Sequence, residues 1–124
     1  MAQRILVVDD EPHLVLSLEL LLIQAGFQVS TVNDGEAALA ALRQEPVDLV
    51  LLDVMLPGQD GFSICQRMRS HGEWRRMKIV MITARGREVE REKALALGAD
   101  AFIVKPFAIQ EIIETIHRLL PATV

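Results

Sequence analysis

Apolar positions along the chain fall into two alternating kinds of segment. Short runs rich in Val, Ile and Leu read as strands: Arg4–Val8, Phe27–Val32, Val47–Asp53, Lys78–Thr83 and Ala101–Val104. Between them lie longer stretches in which apolar residues recur at helical spacing. Pro12 suits the first turn of a helix running to about Ala25, with Gly26 as its stop. Asn33-Asp34-Gly35 forms a turn that caps a second helix ending near Gln44. Leu56–Gly61 reads as a loop, and a third helix follows over Phe62–Arg69. A fourth helix spans Arg87–Leu97 and is closed by Gly98. The last spans Ala108–Leu120 before Pro121, with Ile109, Ile112, Ile113, Ile116, Leu119 and Leu120 on one apolar stripe.

The pattern is strand then helix, five times over. The strand runs at 5–8, 49–52 and 79–82 are near-continuously apolar. That is expected of parallel strands whose two faces are both covered by helices. The expected fold is α/β: a doubly wound five-stranded parallel sheet, flavodoxin-like, with strand order 2-1-3-4-5. At 124 residues the chain is too short for two independent cores, so one domain over 1–124 is expected.

Composition narrows the function. With 51% apolar and 24% charged residues the chain is globular. A net charge of −4 argues against a dedicated nucleic-acid binder. Only 4% of residues are aromatic and none is Tyr, which argues against stacking platforms for bases or sugars. Cys65 is the single cysteine, so an internal disulfide and a cysteine-rich zinc site are both excluded. It reads as a small buried hydrophobe on a helix. The first residues have no signal-peptide organisation. The most apolar segment, Leu14–Ile23, is ten residues long, contains Ser17 and Glu19, and is too short to span a bilayer. A cytoplasmic protein without membrane or direct nucleic-acid contact is expected.

In an open α/β sheet the functional crevice lies at the carboxyl ends of the strands. The first strand ends in Asp9 and Asp10, the third in Asp53, the fourth in Thr83 and the fifth in Lys105. Each alone has an ordinary explanation, such as an Asp capping the next helix. Together they put three carboxylates, a hydroxyl and an ammonium on one edge. Crowded carboxylates repel, and a divalent cation resolves the repulsion. Hard oxygen ligands suit Mg²⁺. A carboxylate nucleophile, a metal and a Lys are the parts needed for in-line phosphoryl transfer to an aspartate.

With these residues in place, the chain resembles the receiver domain of two-component response regulators. The matching segments are Val7-Val8-Asp9-Asp10-Glu11-Pro12, Leu51-Leu52-Asp53-Val54-Met55-Leu56-Pro57-Gly58-Gln59-Asp60-Gly61, Ile82-Thr83-Ala84 and Gly98–Phe107. The resemblance covers the whole chain and implies a set of roles. Asp53 is the phospho-acceptor. Asp10, Asp53 and the Met55 backbone carbonyl bind Mg²⁺, and Asp9 helps through water. Thr83 bonds a phosphoryl oxygen, and Lys105 pairs with the phosphoryl group. The Lys105–Pro106 peptide bond is expected to be cis. Phe102 occupies an aromatic switch position whose rotamer follows Thr83. Met55 and Arg85 flank the acyl phosphate and are expected to tune its hydrolysis.

The resemblance also implies partners. A sensor histidine kinase or histidine phosphotransfer protein would dock on the first helix, at Glu11, Leu14 and Ser17. An output domain or downstream protein would read the face made by the fourth helix, fifth strand and fifth helix. The chain would then be a regulatory phospho-acceptor, catalysing only its own phosphorylation and dephosphorylation. The competing reading is a flavodoxin-like binding or interaction module without phosphotransfer. Against a flavin site, Asp9-Asp10-Glu11 stands where a phosphate loop would be needed, and aromatics to sandwich a ring are lacking.

Overall fold

Five parallel strands form one twisted sheet in the computed structural model, which describes residues 2–121. The ends of the expected 1–124 domain, Met1 and residues 122–124, lie outside the described residues. The strands are β1 (Arg4–Val8), β2 (Gln28–Val32), β3 (Leu49–Asp53), β4 (Lys78–Thr83) and β5 (Ala101–Val104). Their spatial order is β2-β1-β3-β4-β5, as the sequence pattern predicts. The helices are α1 (Pro12–Gln24), α2 (Gly35–Gln44), α3 (Gly61–Ser70), α4 (Glu88–Ala96) and α5 (Ile109–Leu119).

Local chemistry sets the boundaries. Pro12 opens α1, where its missing N–H costs nothing. The Asp34 side chain accepts from the Ala37 N–H at 2.7 Å and caps α2. Asp60 does the same for α3, accepting from the Phe62 N–H at 2.9 Å. Helices α1 and α4 are followed by Gly26 and Gly98, both at positive φ, where a side chain would be strained.

Strand alternation divides the core in two. Ile5, Val7, Leu49, Leu51, Val80, Ile82, Ala101 and Ile103 meet α1 and α5 on one face. Leu6, Val8, Val50, Leu52, Ile79, Met81 and Phe102 meet α2, α3 and α4 on the other. The α5 stripe is confirmed: Ile112 and Ile116 are fully buried, and Ile109, Ile113, Leu119 and Leu120 pack around them. Cys65 is fully buried on α3. Among the described residues, no helix is long and apolar enough to cross a membrane.

Two features differ from the sequence expectation. The segment read as a loop contains a small antiparallel hairpin, Met55–Leu56 against Gln59–Asp60. Its strands are too short to leave a periodic signal. A single 3₁₀ turn, Gly72–Trp74, follows α3. It buries Trp74, with His71 stacked on the indole at a centroid distance of 4.1 Å.

Candidate functional site

The alternation that sorts the core also builds the site. Continued one step past the apolar run, the face of Ile5 and Val7 leads to Asp9, that of Leu49 and Leu51 to Asp53, and that of Ala101 and Ile103 to Lys105. Asp9, Asp10 and Asp53 each present a carboxylate oxygen within 4.8 Å of the others. Asp9 and Asp53 are buried, while Asp10 is exposed at the mouth. Lys105 reaches the two buried members. Its Nζ lies 3.1 Å from Asp9 Oδ2 and 3.5 Å from Asp53 Oδ2. The Lys105–Pro106 bond is cis.

Backbone donors fix the carboxylates. The Glu11 N–H donates to Asp9 Oδ1 at 2.9 Å, and the Met55 N–H donates to Asp53 Oδ1 at 3.2 Å. Asp53 is also held from below, because the Val54 N–H donates to the Ile82 carbonyl of β4 at 2.9 Å. Burial pushes the Asp53 carboxyl above its ordinary range, and the neighbouring Asp9 charge pushes the same way. The Lys105 charge and the Met55 N–H pull against them. Burial works to lower the Lys105 pKa, but the hydrogen bond to Asp9 and the charges of Asp53 and Asp9 prevail, and the net direction is upward.

A triad of carboxylate oxygens converging from two strands is a hard donor set, and it fits a small divalent cation such as Mg²⁺. Lys105 meets part of the negative charge, leaving exposed Asp10 without an ion-pair partner within 4.0 Å among the described residues.

Thr83 ends β4 fully buried and lines the same cleft as Asp10, Met55 and Arg85, while strand alternation lines it up with Met81 and, across the pairing with β5, with Phe102 on the α4 side. Its Oγ1 accepts from the Arg85 N–H at 3.0 Å, so the hydroxyl proton is not used in that bond. Phe102 is already enclosed, at 9% exposure, in the cluster with Met81, Ala94 and Ala99. A switch that turns this ring inward would therefore start from a ring that is mostly inside.

Met55 is exposed, and so is Arg85 across the cleft. The cleft between them is also lined by Val89 and Lys93. The Lys93 ammonium sits 4.5 Å above the Phe62 ring. Neither Val89 nor Lys93 is singled out by strand-end reasoning. The signal that finds them is their spacing of four on α4, which gives them one face.

The expected docking residues lie at the start of α1. Glu11 is its exposed N-cap, Ser17 is exposed, and Leu14 is half-buried. The apolar excess of α1 emerges elsewhere: Leu16, Leu20 and Ile23 are each more than half exposed. At 100° per residue from the buried Leu18 and Leu22, Leu16 and Ile23 fall on the flank opposite Leu14 and Ser17.

Comparison with known proteins agrees with this geometry. The family model described as the response regulator receiver domain matches residues 5–117. The phosphate regulon transcriptional regulatory protein PhoB of Rhizobium meliloti (strain 1021) is 42% identical over 120 residues. That alignment covers 97% of this chain and 53% of the relative, so the chain spans about half the length of such regulators. Among solved structures, a putative response regulator from Chloroflexus aurantiacus superposes with a TM-score of 0.92 at 33% identity, covering 98% of this chain and 100% of that one. The receiver domain of sensor histidine kinase PA1611 from Pseudomonas aeruginosa PAO1 superposes with a TM-score of 0.88 at 30% identity, with the same coverage, and has a magnesium ion coordinated in its active-site cleft. The strand-end acids, their lysine and the match over nearly the whole chain lead to one assignment: this protein belongs to the response regulator receiver domain family.

Proposed function

We propose that the chain accepts a phosphoryl group on Asp53 and passes the signal through α4, β5 and α5. The observation that carries this reading is the junction of Asp9, Asp10 and Asp53 with Lys105 bridging the two buried acids. The donor is a phosphohistidine of a sensor kinase or phosphotransfer protein. The P–N bond to the imidazole breaks as a P–O bond to an Asp53 carboxylate oxygen forms. The nucleophile must be ionised. Lys105 and the Met55 N–H oppose the burial and the Asp9 charge that favour the proton.

Asp10, Asp53 and the Met55 carbonyl would hold Mg²⁺, with Asp9 behind them, and the ion would neutralise charge building on the transferring phosphoryl oxygens. Lys105 supplies a second positive charge to the same oxygens. Thr83, whose hydroxyl proton is uncommitted to Arg85, donates to one of them. Glu11, Leu14 and Ser17 form the donor-docking patch. The chain acts on no external substrate, and it works in the cytoplasm, where a kinase reaches it. The flavodoxin-like alternative is disfavoured by Asp9 and Asp10, whose charges would repel a ligand phosphate in the absence of a cation.

Incubation with Mg²⁺ and acetyl phosphate should add one phosphoryl group, labile to hydroxylamine and visible in the intact mass. Asp53→Ala should remove it. Labelling of that variant at the wild-type rate would overturn the assignment.

A further inference from the structure

Gly86 lies three residues past Thr83, in the segment joining β4 to α4. A Cβ built on it would stand 2.8 and 2.9 Å from the two methyls of Val104 and 3.4 Å from its Cβ. Such approaches are too close for carbon atoms, so a side chain at 86 must displace something. Val104 cannot swing aside easily, because a β-branched side chain is stiff at χ1. Its backbone is tied as well. Val104 pairs with Thr83 in the sheet, and the next residue's N–H donates to the Thr83 carbonyl at 2.7 Å. What would give way is the 84–87 segment itself.

The geometry of that segment links three residues. At one end the Arg85 N–H is bonded to the Thr83 hydroxyl oxygen, so a displacement of Thr83 draws the segment with it. In the middle, Gly86 rests on Val104. Phe102 is two residues before Val104 on β5 and therefore points to the same sheet face, where it packs with Ala94 of α4. Phe102 is enclosed already, so its burial is not the quantity left to change. The free variable is how closely the segment and the start of α4 lie on β5.

We propose that Gly86 is a positioning residue for the switch: the absence of a side chain there lets the 84–87 segment close onto Val104 and carry the movement of Thr83 to the partly exposed Val104 and the α4 surface. The proposal rests on the phospho-acceptor reading of Asp53 and adds the contact through which the acceptor is read. Gly86 touches no reacting atom, and the nearest atoms a Cβ there would meet all belong to Val104, not to the acid cluster or Lys105.

Hydrogen exchange of the full chain, with and without acetyl phosphate and Mg²⁺, tests it, with labelling followed by mass in the same samples. Gly86→Ala should still take up one phosphoryl group, because Asp53 and Lys105 lie outside the displaced segment. Its labelled-minus-unlabelled difference over residues 87–107 should fall by at least about half, because the segment is held off β5 in both states. Gly86→Ala combined with Val104→Ala, which removes both opposing methyls, should recover most of the difference. Val104→Ala alone, at a position 37% exposed and tolerant of truncation, should speed exchange over residues 84–88 in the unlabelled protein. An unchanged difference in a labelled Gly86→Ala, no recovery in the double variant, or unchanged exchange at 84–88 in Val104→Ala would each overturn the proposal. A wild-type chain that takes no phosphoryl group would instead overturn the acceptor reading itself, and the mass measurement separates the two failures.

Discussion

The Lys105 ammonium lies closer to Asp9 than to Asp53, at 3.1 Å against 3.5 Å. In this state the lysine serves as counter-ion to two acids that are 96 and 52 residues away in the chain. It therefore competes with any cation for the same oxygens, and under the proposed function it is the group that would follow the new negative charge of a phosphoryl group.

Lys105→Ala separates these roles. Mg²⁺ affinity should be undiminished or slightly improved, since a competing charge is gone. The labelling rate should fall by roughly tenfold to a hundredfold, the equivalent of one charge-assisted hydrogen bond of about 1.5–3 kcal/mol lost from the transition state. Titration of Mg²⁺ by a spectroscopic or calorimetric signal, next to labelling time courses, checks both halves. Weakened Mg²⁺ binding with unaltered labelling would contradict the argument.

Mg²⁺ should stabilise the fold. An ion that binds only the native state at about tenfold excess over its Kd adds roughly 1.4 kcal/mol. For a domain of this size that is roughly 4–6 °C in Tm. Asp10→Asn, at the exposed member of the triad, should cut this response to a small fraction with little change in the metal-free Tm. Melting curves in EDTA and in millimolar Mg²⁺ give the comparison.

Asp53 gives a pH prediction whose sign follows from burial. Its folded-state pKa is raised, so the folded chain binds the proton more tightly than the unfolded chain does. Its ionised form is then a destabilising element above that raised pKa. The effect fades as pH falls toward the ordinary carboxyl value of about 4. Metal-free Asp53→Asn should accordingly melt above the wild type at neutral pH, with the gap narrowing on acidification. A gap that widens toward pH 4 would mean that Lys105 outweighs burial in setting the Asp53 pKa.

Arg69 carries the largest stability prediction. Its guanidinium donates to Asp100 at 2.7 Å and to the carbonyls of Gly98 and Met77 at 2.8 and 2.6 Å. Asp100 in turn accepts from the Ile79 N–H at 2.9 Å. The group is mostly buried but not sealed, with 19% of the side chain exposed, so the cost of a fully buried charge must be discounted. Arg69→Ala should cost about 2–3 kcal/mol, measured by urea unfolding.

The sequence carried the sheet, its strand order and the identity of the edge residues, because each rests on a local signal. Continuous apolar runs mark buried strands, and a polar residue just past each run marks the edge. It could not show that Lys105 rests on Asp9 as well as Asp53, since a strand end fixes a position but not a side chain's partner. The hairpin at Met55–Asp60 was hidden by its two-residue strands. The Arg69 clamp was hidden for another reason: its acceptors are mostly backbone carbonyls, which have no letter in the sequence. The contact of Gly86 with Val104 depends on a missing atom, and only the neighbour's position gives it meaning.

The Arg69 clamp gathers the amino-terminal starts of β4 and β5, whereas Thr83 and Lys105 stand at their carboxyl ends. Six residues of strand at about 3.3 Å each put roughly 20 Å between the two edges. Energetic effects of substitutions this far apart, with no shared partner, normally add to within about 0.5 kcal/mol. The domain is thus divided into a load held at one rim and the acid cluster, with its proposed chemistry, held at the other. Stabilising replacements around Arg69 can be accumulated without retuning the acid cluster, and the residues at the carboxyl rim can diverge while the frame stays fixed. Arg69→Ala combined with Lys105→Ala is the simplest case, and its stability loss should equal the sum of its parts.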